Sequence, residues 1–351
     1  MTLKLYNSLT KKTEDIKPIN KDSVSIYSCG PTTYDRAHIG NLSCYIYADT
    51  LARTIKASGL KIKHVMNIAD IDDKTIKKSR ELYPNLDIEE ALKKVTLKFE
   101  ADFKSDILKL NINPDNYQFI RATESIDIIQ NLIKELLKND FAYRADDGIY
   151  FSIDDYIKSG KKYGQLVNLD IENQDHSKSR INNDEYDKKT VHDFALWKFK
   201  KTQEPYWEFE LNGTNYPGRP GWHIECSAMS TSLLNQPFDI HTGGIDLTFP
   251  HHENEIAQST AGKDTNYLAK LFFHNEHLFI EGNKMSKSLN NFYSLEDILR
   301  KVKDPLAFRL LILQAHYRSQ TDFSETNLKS ANNRLTNLRN FAVMRFQLDN
   351  S

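Results

Sequence analysis

Three segments of the sequence carry polar side chains whose types and spacing could bind an anion or a metal ion. They cover residues 29–41, 250–255 and 284–288 of the 351-residue chain. Each is short enough to occur in an ordinary solvated turn, so each has an alternative interpretation without a ligand. The three segments therefore have to be judged together with the elements that hold them.

The segment at 29–41, CGPTTYDRAHIGN, follows a β-prone run and precedes a helical pattern. Ligands of open α/β sheets bind beyond the carboxyl ends of the strands. A helix N-terminus at that edge offers N–H groups and a partial positive charge to an anion. Gly40 would let a phosphate approach the backbone closely, and His38 could donate a hydrogen bond to it. The alternative is a tight turn between a strand and a helix, without a ligand.

The segment at 284–288, KMSKS, follows Glu-Gly-Asn and contains two lysines separated by small and polar residues. Lys284 and Lys287 on such a loop would form a mobile cationic clamp. A clamp of this kind can follow the charge that develops on a leaving pyrophosphate. The alternative is an ordinary solvated loop.

The segment at 250–255, PHHENE, predicts a helix start, because proline fits the first helical turn. His251 and Glu255 then lie four residues apart on one face, a spacing at which both can bind zinc. The order is not His-Glu-x-x-His, which excludes the metalloprotease motif. Two distant cysteines, Cys29 and Cys226, could complete a tetrahedral site. The alternative is a solvated helix start.

The neighbouring residues receive simpler interpretations. His252 and Glu253 are expected to point away from the metal face, with His252 contacting either the ligands from behind or solvent. Cys44 is expected to be a small buried apolar residue in the helix after the first segment.

The elements around the first segment predict a parallel βαβ unit. Residues 24–29 are β-prone, apolar residues recur at helical spacing from Leu42 to Ile55, Gly59 suits the helix stop, and residues 62–68 form another β-prone run. Strand, helix and strand within about 45 residues are typical of a right-handed crossover.

The rest of the chain gives a coarser prediction. Residues 72–110 are helix-prone, and residues 123–138 carry a continuous apolar stripe that predicts an amphipathic helix. Residues 145–190 are charged and rich in turn signals, which indicates an inserted, partly mobile module. Residues 207–249 favour strands and loops, and the chain is predicted to be helical after Pro305.

Composition excludes several classes of protein. Lys and Arg total 47 against 48 Asp and Glu, a net charge of −1, so the chain is not basic throughout. No apolar run approaches the roughly 18 residues that span a bilayer, and the first residues, MTLKLYN, do not have the pattern of a signal peptide. Three scattered cysteines favour a reduced, cytoplasmic protein over a disulfide scaffold. Charge is nevertheless uneven: residues 284–345 hold eleven basic and five acidic residues, which suits either a solvated helix pair or a phosphate-contacting surface.

Taken together, the motifs identify a family by resemblance. HIGN at 38–41 and KMSKS at 284–288 resemble the two signature motifs of class I aminoacyl-tRNA synthetases. CGPTTYD at 29–35, IDDK at 71–74, GRPGWHIECSAM at 218–229 and FPHHENEIAQS at 249–259 resemble the cysteinyl-tRNA synthetase family specifically. The motifs occur in the family's order.

The resemblance implies an α/β fold: a doubly wound parallel-sheet (Rossmann-like) catalytic domain, split by an insertion and followed by a mainly helical C-terminal region. The implied division is residues 1–115 and 216–280 for the two catalytic halves and 116–215 for the inserted connective module. Residues 281–335 would hold the KMSKS loop and a tRNA stem-contact region, and 336–351 the start of a helical bundle.

The resemblance also implies the reaction. L-cysteine and ATP, accompanied by Mg²⁺, would form cysteinyl-adenylate without a covalent enzyme intermediate, and the cysteinyl group would pass to tRNA(Cys). The family is monomeric, and a monomer is expected here.

The implied site residues follow motif by motif. One zinc ion per subunit would be held by Cys29, Cys226, His251 and Glu255. His38, Lys284 and Lys287 would act in catalysis. The nucleotide would be bound by Pro31, Thr32, His38, Gly40, Asn41, Asp246, Lys284 and Lys287, and the amino acid by Gly30, Thr32, Trp222 and His241.

Zinc in such an enzyme has a chemical purpose, because serine differs from cysteine only by oxygen for sulfur. A pocket that selects by shape gains about 1–3 kcal/mol from so small a difference. A metal-coordinated thiol loses its proton and becomes a strong, soft ligand, whereas a serine hydroxyl binds poorly. Zinc selection would therefore make an editing domain unnecessary, and the sequence suggests none.

Four features depart from the family's pattern. Asn41 replaces a histidine, Ala69 replaces a threonine, and Asn290 replaces a glycine, although asparagine tolerates positive φ. The fourth is length: the family continues into an anticodon-binding domain, which is expected to be truncated or missing here.

Three alternatives to a cysteine:tRNA ligase stay open at this point. A mycothiol-pathway type of ligase would activate cysteine in the same way and pass it to an amino-sugar. A non-catalytic RNA-binding or regulatory paralogue and a zinc-free nucleotidylyltransferase are the others.

Overall fold

The computed structural model describes residues 3–167, 180–181, 192–285 and 291–344. The strands are β1 (Lys4–Asn7), β2 (Lys12–Asp15), β3 (Ser23–Ser28), β4 (Lys61–Ile68), β5 (Gln118–Arg121), β6 (Ala142–Arg144), β7 (Gly148–Phe151), β8 (Arg180–Ile181), β9 (Asp193–Phe199), β10 (Glu210–Leu211), β11 (Thr214–Asn215), β12 (Gly218–Pro220), β13 (Phe238–Gly244), β14 (Ala269–Asn275), β15 (Leu278–Ile280), β16 (Asn283–Lys284) and β17 (Thr321–Phe323). The helices are α1 (Ile39–Ala57), α2 (Asp73–Leu82), α3 (Ile88–Lys109), α4 (Ile126–Lys138), α5 (Ile153–Lys158), α6 (Trp222–Leu234), α7 (Glu253–Thr260), α8 (Leu295–Lys301), α9 (Leu306–Leu313) and α10 (Glu325–Met344).

A parallel sheet of five strands, in the order β14-β13-β3-β4-β5, forms the centre of the molecule. Every neighbouring pair in this sheet is parallel. From β3 the chain proceeds through β4 to β5 on one side, and β13 and β14 add on the other. The strand order therefore reverses between β3 and β13, and such a switch point leaves a crevice at the carboxyl ends of the strands. The predicted α/β fold with a parallel sheet is confirmed.

The predicted βαβ unit is confirmed as β3, α1 and β4. Val24, Ile26 and Tyr27 in β3 are fully buried, as expected for a strand covered on both faces. Helix α1 ends at Ala57, and Gly59 takes a φ of +93°, the left-handed conformation that a helix stop favours.

A second sheet, β12-β9-β7-β6, is antiparallel along this path, and β8 pairs with its central strand β9 in parallel. Helix α4 packs its predicted apolar stripe against this layer through Ile129 and Ile133, which share a core cluster with Phe151 and Leu196. A third, small sheet joins β16, β15 and β17.

Two predicted stretches differ from the structure. Residues 207–249 contain helix α6, which the sequence analysis missed because its apolar and polar residues do not separate into two faces: buried residues surround it. The chain after Pro305 is not helical throughout, because Thr321–Phe323 forms strand β17 and pairs with β15. Helices still make up most of that region, which confirms its mainly helical character.

Two strands bear on the domain division. Strand β5 belongs to the parallel sheet and β12 to the antiparallel sheet. We therefore propose that the insertion runs from about residue 122 to 220 rather than from 116 to 215. None of the described helices is long and apolar enough to cross a membrane.

Candidate active site and metal centre

A cavity of about 520 Å³ opens at the carboxyl ends of β3 and β13, where the strand order reverses. The loop after β3 contributes Cys29, Gly30, Pro31 and Thr32 to its wall, and the turn after β13 contributes Asp246. The cavity is also lined by Tyr34, Asp35, Arg36, Ala37, His38, Asn41, Cys44, Tyr45, Lys74, Trp222, Gly243, Gly244, Leu247, Pro250, His251 and Phe292. The segments at 29–41 and 250–255 thus meet at one crevice.

Gly30 allows the loop after β3 to cross the end of β4. Its N–H donates to Asn67 Oδ1 at 2.8 Å, and a Cβ at this position would lie 1.8 Å from the Asn67 carbonyl oxygen. Any side chain would therefore push the loop away from the sheet. Two backbone hydrogen bonds continue the contact. The Ala69 N–H donates to the Pro31 carbonyl, and the Ala69 carbonyl accepts from the Thr33 N–H. Alanine supplies these groups as well as threonine would.

His38 caps the N-terminus of α1 in an extended conformation. Its Nδ1 accepts a hydrogen bond from the Asn41 N–H at 3.2 Å. A ring nitrogen that accepts carries no proton in the neutral imidazole, so the His38 proton lies on Nε2, which can donate to a phosphate oxygen. Gly40 is also constrained, because a Cβ there would lie 2.9 Å from the His38 ring.

The second signature segment approaches the first through its flanks. The Ile39 N–H donates to the Tyr293 carbonyl at 2.9 Å, and the His38 ring contacts Phe292 edge-on at 5.1 Å between centroids. The backbone of Lys284 ends strand β16. Lys287 and the departure at Asn290 lie outside the described residues.

Four side chains from three remote stretches converge at the edge of the cavity. One ligand atom from each of Cys29, Cys226, His251 and Glu255 lies within 4.8 Å of the others. Glu255 Oε1 lies 3.8 Å from Cys29 Sγ and 3.1 Å from His251 Nε2. The predicted pairing of His251 and Glu255 on one face holds, although the regular helix α7 begins only at Glu253 and a wider turn carries His251.

These distances suit a tetrahedral zinc ion. Zinc bonds of 2.0–2.3 Å place neighbouring ligand atoms about 3.3–3.8 Å apart. Two thiols, one imidazole and one carboxylate are also among the donors that zinc prefers. The residues therefore fit the metal that the resemblance implies.

The electrostatics of the cluster also favours a bound metal cation. Burial raises the pKa of the Cys29 thiol well above its usual range, and Cys226 and Glu255 raise it further. Burial lowers the pKa of His252, with additional repulsion from neighbouring imidazoles. Burial thus favours the neutral forms of Cys29 and His252, whereas a divalent cation bound here would stabilise the Cys29 thiolate.

Further histidines contact the cluster from behind. His241 Nε2 lies 2.8 Å from Glu255 Oε2, and His223 Nδ1 lies 2.9 Å from His251 Nδ1. His252 Nε2 lies 3.3 Å from Cys29 Sγ, while its Nδ1 lies 2.7 Å from His274 Nε2. Of the two positions expected for His252, contact with the ligands is confirmed and contact with solvent is wrong. It does not point away from the cluster, because it is fully buried and belongs to a second constellation with Cys29, His241 and Glu255. Glu253 does turn elsewhere, accepting backbone N–H groups from residues 164–166.

The predicted amino-acid-binding residues differ in position. Trp222 lines the cavity and stacks on His251, with ring centroids 4.3 Å apart. His241 is fully buried behind Glu255 and is not part of the cavity wall. Cys44 is half-buried on the wall rather than enclosed, and Asn275 Nδ2 donates to its Sγ at 3.3 Å.

Sequence reasoning assigned no role to Lys74, His223 or His274. Lys74 lines the cavity and lies 5.3 Å from the centre of the Tyr34 ring. Lys74 could have been singled out because it ends the motif IDDK at 71–74. His223 could have been singled out because it lies three residues before Cys226. Nothing in the sequence around His274 distinguishes it from a core residue of β14.

Residues 15–333 match the family described as tRNA synthetases class I (C) catalytic domain. The chain is 44% identical over 330 residues to a cysteine–tRNA ligase of Brachyspira hyodysenteriae, an alignment that covers 93% of this chain and 66% of the relative. It is 40% identical over 352 residues to a cysteine–tRNA ligase of Methanococcus vannielii, covering 99% of this chain and 70% of the relative. The chain thus spans about two-thirds of the length of these curated relatives.

Solved structures show the same fold at low sequence identity. A leucyl-tRNA synthetase of Agrobacterium radiobacter, in a ternary complex with tRNA, has a TM-score of 0.62 at 10% identity and covers 91% of this chain and 72% of its own. A methionyl-tRNA synthetase of Mycobacterium tuberculosis has a TM-score of 0.59 at 13% identity, with 88% and 68% covered. On the sequence match and the shared fold together, the chain belongs to the cysteinyl-tRNA synthetase family of class I tRNA synthetases.

Proposed function

We propose that the chain activates L-cysteine with ATP to cysteinyl-adenylate and transfers the cysteinyl group to tRNA(Cys). The observation that carries this proposal is the convergence of Cys29, Cys226, His251 and Glu255 at the edge of the cavity. A sulfur-selecting centre beside a cavity at the switch point of a parallel sheet suits an enzyme that must bind a thiol-bearing amino acid and a nucleotide together.

Zinc held by these four side chains would supply a soft Lewis acid that binds the substrate as a thiolate and discriminates against the serine hydroxyl. The histidines around the cluster would orient its ligands, His241 through Glu255 and His223 through His251. Trp222, stacked on His251, would shape the amino-acid pocket beside Gly30 and Thr32.

The nucleotide would lie along residues 31–41, with the amino end of α1 directed at its phosphates. The His38 Nε2–H would donate to a phosphate oxygen, and Asp246 would lie near the nucleotide. The carboxylate of cysteine would attack the α-phosphorus, the bond to the bridging oxygen would break, and pyrophosphate would leave with its Mg²⁺. Lys284 and Lys287 would stabilise the charge on that leaving group, so the chain's own groups mainly orient and stabilise.

Transfer to tRNA completes the proposed reaction. The basic stretch at 284–345 suits contact with the acceptor arm. A cytoplasmic, monomeric protein with one zinc ion per subunit is part of the same proposal. The relatives reported above carry the name cysteine–tRNA ligase, and no observation favours an amino-sugar acceptor.

Isotope exchange and transfer test this function. We expect cysteine-dependent exchange between ATP and pyrophosphate, and transfer of labelled cysteine to tRNA(Cys) but not to glucosaminyl-inositol. Replacing Lys287 by alanine should slow the exchange about 10²–10³-fold, the usual effect of removing one group that stabilises transition-state charge. Lys56→Ala, an exposed lysine near the end of α1, is the matched control and should leave the rate unchanged. Exchange between ATP and pyrophosphate that does not depend on cysteine, or transfer of cysteine only to the amino-sugar, would contradict the proposal.

A further inference from the structure

A second groove, of about 400 Å³, joins the catalytic cavity at its mouth. It is lined by Tyr34, Asp35, Lys74, Lys77, Lys78 and Glu81. Tyr34, Asp35 and Lys74 also line the catalytic cavity, so the two depressions share a wall. The groove therefore lies directly beside the proposed active site, on the surface of the molecule.

Lysines dominate one face of helix α2 along this groove. Lys74, Lys77 and Lys78 are three and four residues apart and so share a face, which we call the α2 basic face. The opposite face carries the helix's buried residues, Thr75, Ile76 and Ser79. Lys77 is exposed and Lys78 half-buried, and within the described chain neither forms an ion pair with a carboxylate.

Two acidic residues next to this face, Asp72 and Asp73, have partners of their own. Asp72 caps α2 by accepting the Thr75 N–H at 2.6 Å. Asp73 lies 3.1 Å from the Nζ of Lys198 and also pairs with Arg219, and both of these cations are almost completely buried. The groove is thus lined by three lysines and by the carboxylates of Asp35 and Glu81.

We propose that the α2 basic face binds the phosphodiester backbone of the single-stranded 3′ end of tRNA as it enters the catalytic cavity. This inference rests on the proposed function, because the 3′-terminal ribose must reach the adenylate from outside. Cationic grooves with an aromatic platform are how proteins bind single strands without reading their sequence. Tyr34 supplies the aromatic ring at the point where groove and cavity meet, with the Lys74 ammonium 5.3 Å from its centre.

The position of the groove favours the tRNA strand over the phosphates of ATP. ATP would occupy the cavity wall at residues 31–41, whereas Lys77 and Lys78 line only the outer groove. The α2 basic face is also separate in sequence from the stretch at 284–345 proposed to meet the acceptor stem. Two basic surfaces would then bind different parts of the tRNA. The stretch at 284–345 would contact the acceptor duplex, and the α2 basic face would contact the single-stranded 3′ end.

Direct binding tests the inference on the full chain. The probes are an acceptor-stem hairpin of tRNA(Cys) with a four-nucleotide single-stranded 3′ end, and the same hairpin without it. For the double variant Lys77→Ala with Lys78→Ala, we expect a roughly tenfold higher Kd for the overhanging hairpin and no change for the blunt one. The slope of log Kd against log salt should fall by about 1.4, because each phosphate contact to a single strand contributes about 0.7.

Three controls accompany the binding measurement. The pair Lys56→Ala with Lys61→Ala, exposed lysines at the other edge of the sheet, should bind both hairpins like the parent. The variant Lys77→Arg with Lys78→Arg keeps both positive charges and should bind the overhanging hairpin like the parent. Cysteine-dependent exchange between ATP and pyrophosphate needs no tRNA, so it should be unchanged in all variants. Its absence from the parent would instead indicate that the proposed function fails.

Three results would overturn the inference. One is equal binding of the overhanging hairpin by parent and variant at every salt concentration, including no binding by either. Another is an equal loss on the blunt hairpin, which would assign the lysines to the duplex. The third is a loss of pyrophosphate exchange in the double alanine variant with hairpin binding intact, which would assign them to ATP.

Discussion

Two thiols, an imidazole and a carboxylate lie in mutual contact at this centre, and a bound cation would stabilise their deprotonated forms. Burial and the neighbouring Cys226 and Glu255 raise the pKa of Cys29, so without a cation its thiol would keep its proton. Metal binding releases such protons and converts the same side chains into ligands. We therefore propose that the residues of this centre act as metal ligands rather than as general acids or bases.

Removing one ligand tests this interpretation. Cys226→Ser should lower the zinc content from one ion per chain to a small fraction, because a hydroxyl does not replace a thiolate as a zinc ligand. Elemental analysis after extensive dialysis provides the measurement. Cys44→Ser is the matched control, since Cys44 lies on the cavity wall outside both candidate ligand sets and should leave the zinc content unchanged. Retention of one zinc ion by Cys226→Ser would contradict the ligand set.

The two neighbouring histidines offer a finer test. Both contact the cluster, but only the constellation with His251 includes both thiols. His251→Ala should lose zinc, whereas His252→Ala should retain it with an affinity reduced about 10–100-fold, the usual effect of removing an outer partner. Zinc affinity measured by competition with a chromogenic chelator separates these outcomes. The opposite pattern would assign the metal to Cys29, His241, His252 and Glu255.

At the scale of elements, a buried charge cluster fixes α2 against the inserted sheet. Lys198 in β9 and Arg219 in β12 both contact Asp73 at the start of the helix, and Glu204 lies 3.1 Å from Arg219 Nε. The cluster joins the antiparallel sheet to the helix that carries Lys74 into the cavity. A second polar link lies nearby, where Arg80 of α2 donates to the carbonyls of Thr202 and Gln203.

This cluster predicts a pH-dependent stability. Burial alone would raise the pKa of Asp73, but Lys198 and Arg219 outweigh it and hold that pKa well below its usual range. A carboxyl whose pKa is depressed by folding stabilises the protein above its unfolded pKa of about 3.9, and the stabilisation is lost as the pH falls towards the folded value. Asp73→Asn should therefore lower the free energy of unfolding by about 1–3 kcal/mol at pH 7, less than a fully buried pair because Asp73 is partly exposed. The deficit should shrink below about pH 4.

Urea titration at pH 7 and at pH 3 measures both quantities. Glu90→Gln is the control: it removes an exposed pair with Lys94 on α3 and should change the free energy of unfolding by less than about 0.5 kcal/mol at either pH. A deficit for Asp73→Asn of the same size at both pH values would indicate that the carboxylate's charge is not what links α2 to the insertion.

The elements of the first half were predictable because their patterns are local. The β-prone run, the helical repeat and Gly59 defined β3, α1 and the stop of α1 to within a few residues. Helix α6 was not predictable in this way, since it is buried on all sides and has no polar face to give a period. Strand β17 was missed because its partner, β15, lies about forty residues earlier and a three-residue strand has no pattern of its own.

For the whole molecule, the composition of the metal centre was predictable and its geometry was not. The motifs named four ligands, but their convergence depends on β3 and β13 becoming neighbours across more than 200 residues of chain. The outer histidines were likewise not predictable, because His252 and His274 come into contact only when the turn before α7 lies beside β14. The α2 basic face was not apparent from the near-neutral total charge, because acidic residues throughout the chain balance the basic ones.

The central claim is that a metal held by this chain distinguishes sulfur from oxygen. The most direct measurement is the ratio of cysteine-dependent to serine-dependent exchange between ATP and pyrophosphate, with zinc bound and after its removal by a chelator. With zinc, the ratio should exceed about 10³; without it, any remaining exchange should prefer cysteine by no more than about 10–200-fold, the limit that shape alone allows. A chelated protein, free of zinc by elemental analysis, that kept the full preference would contradict the claim.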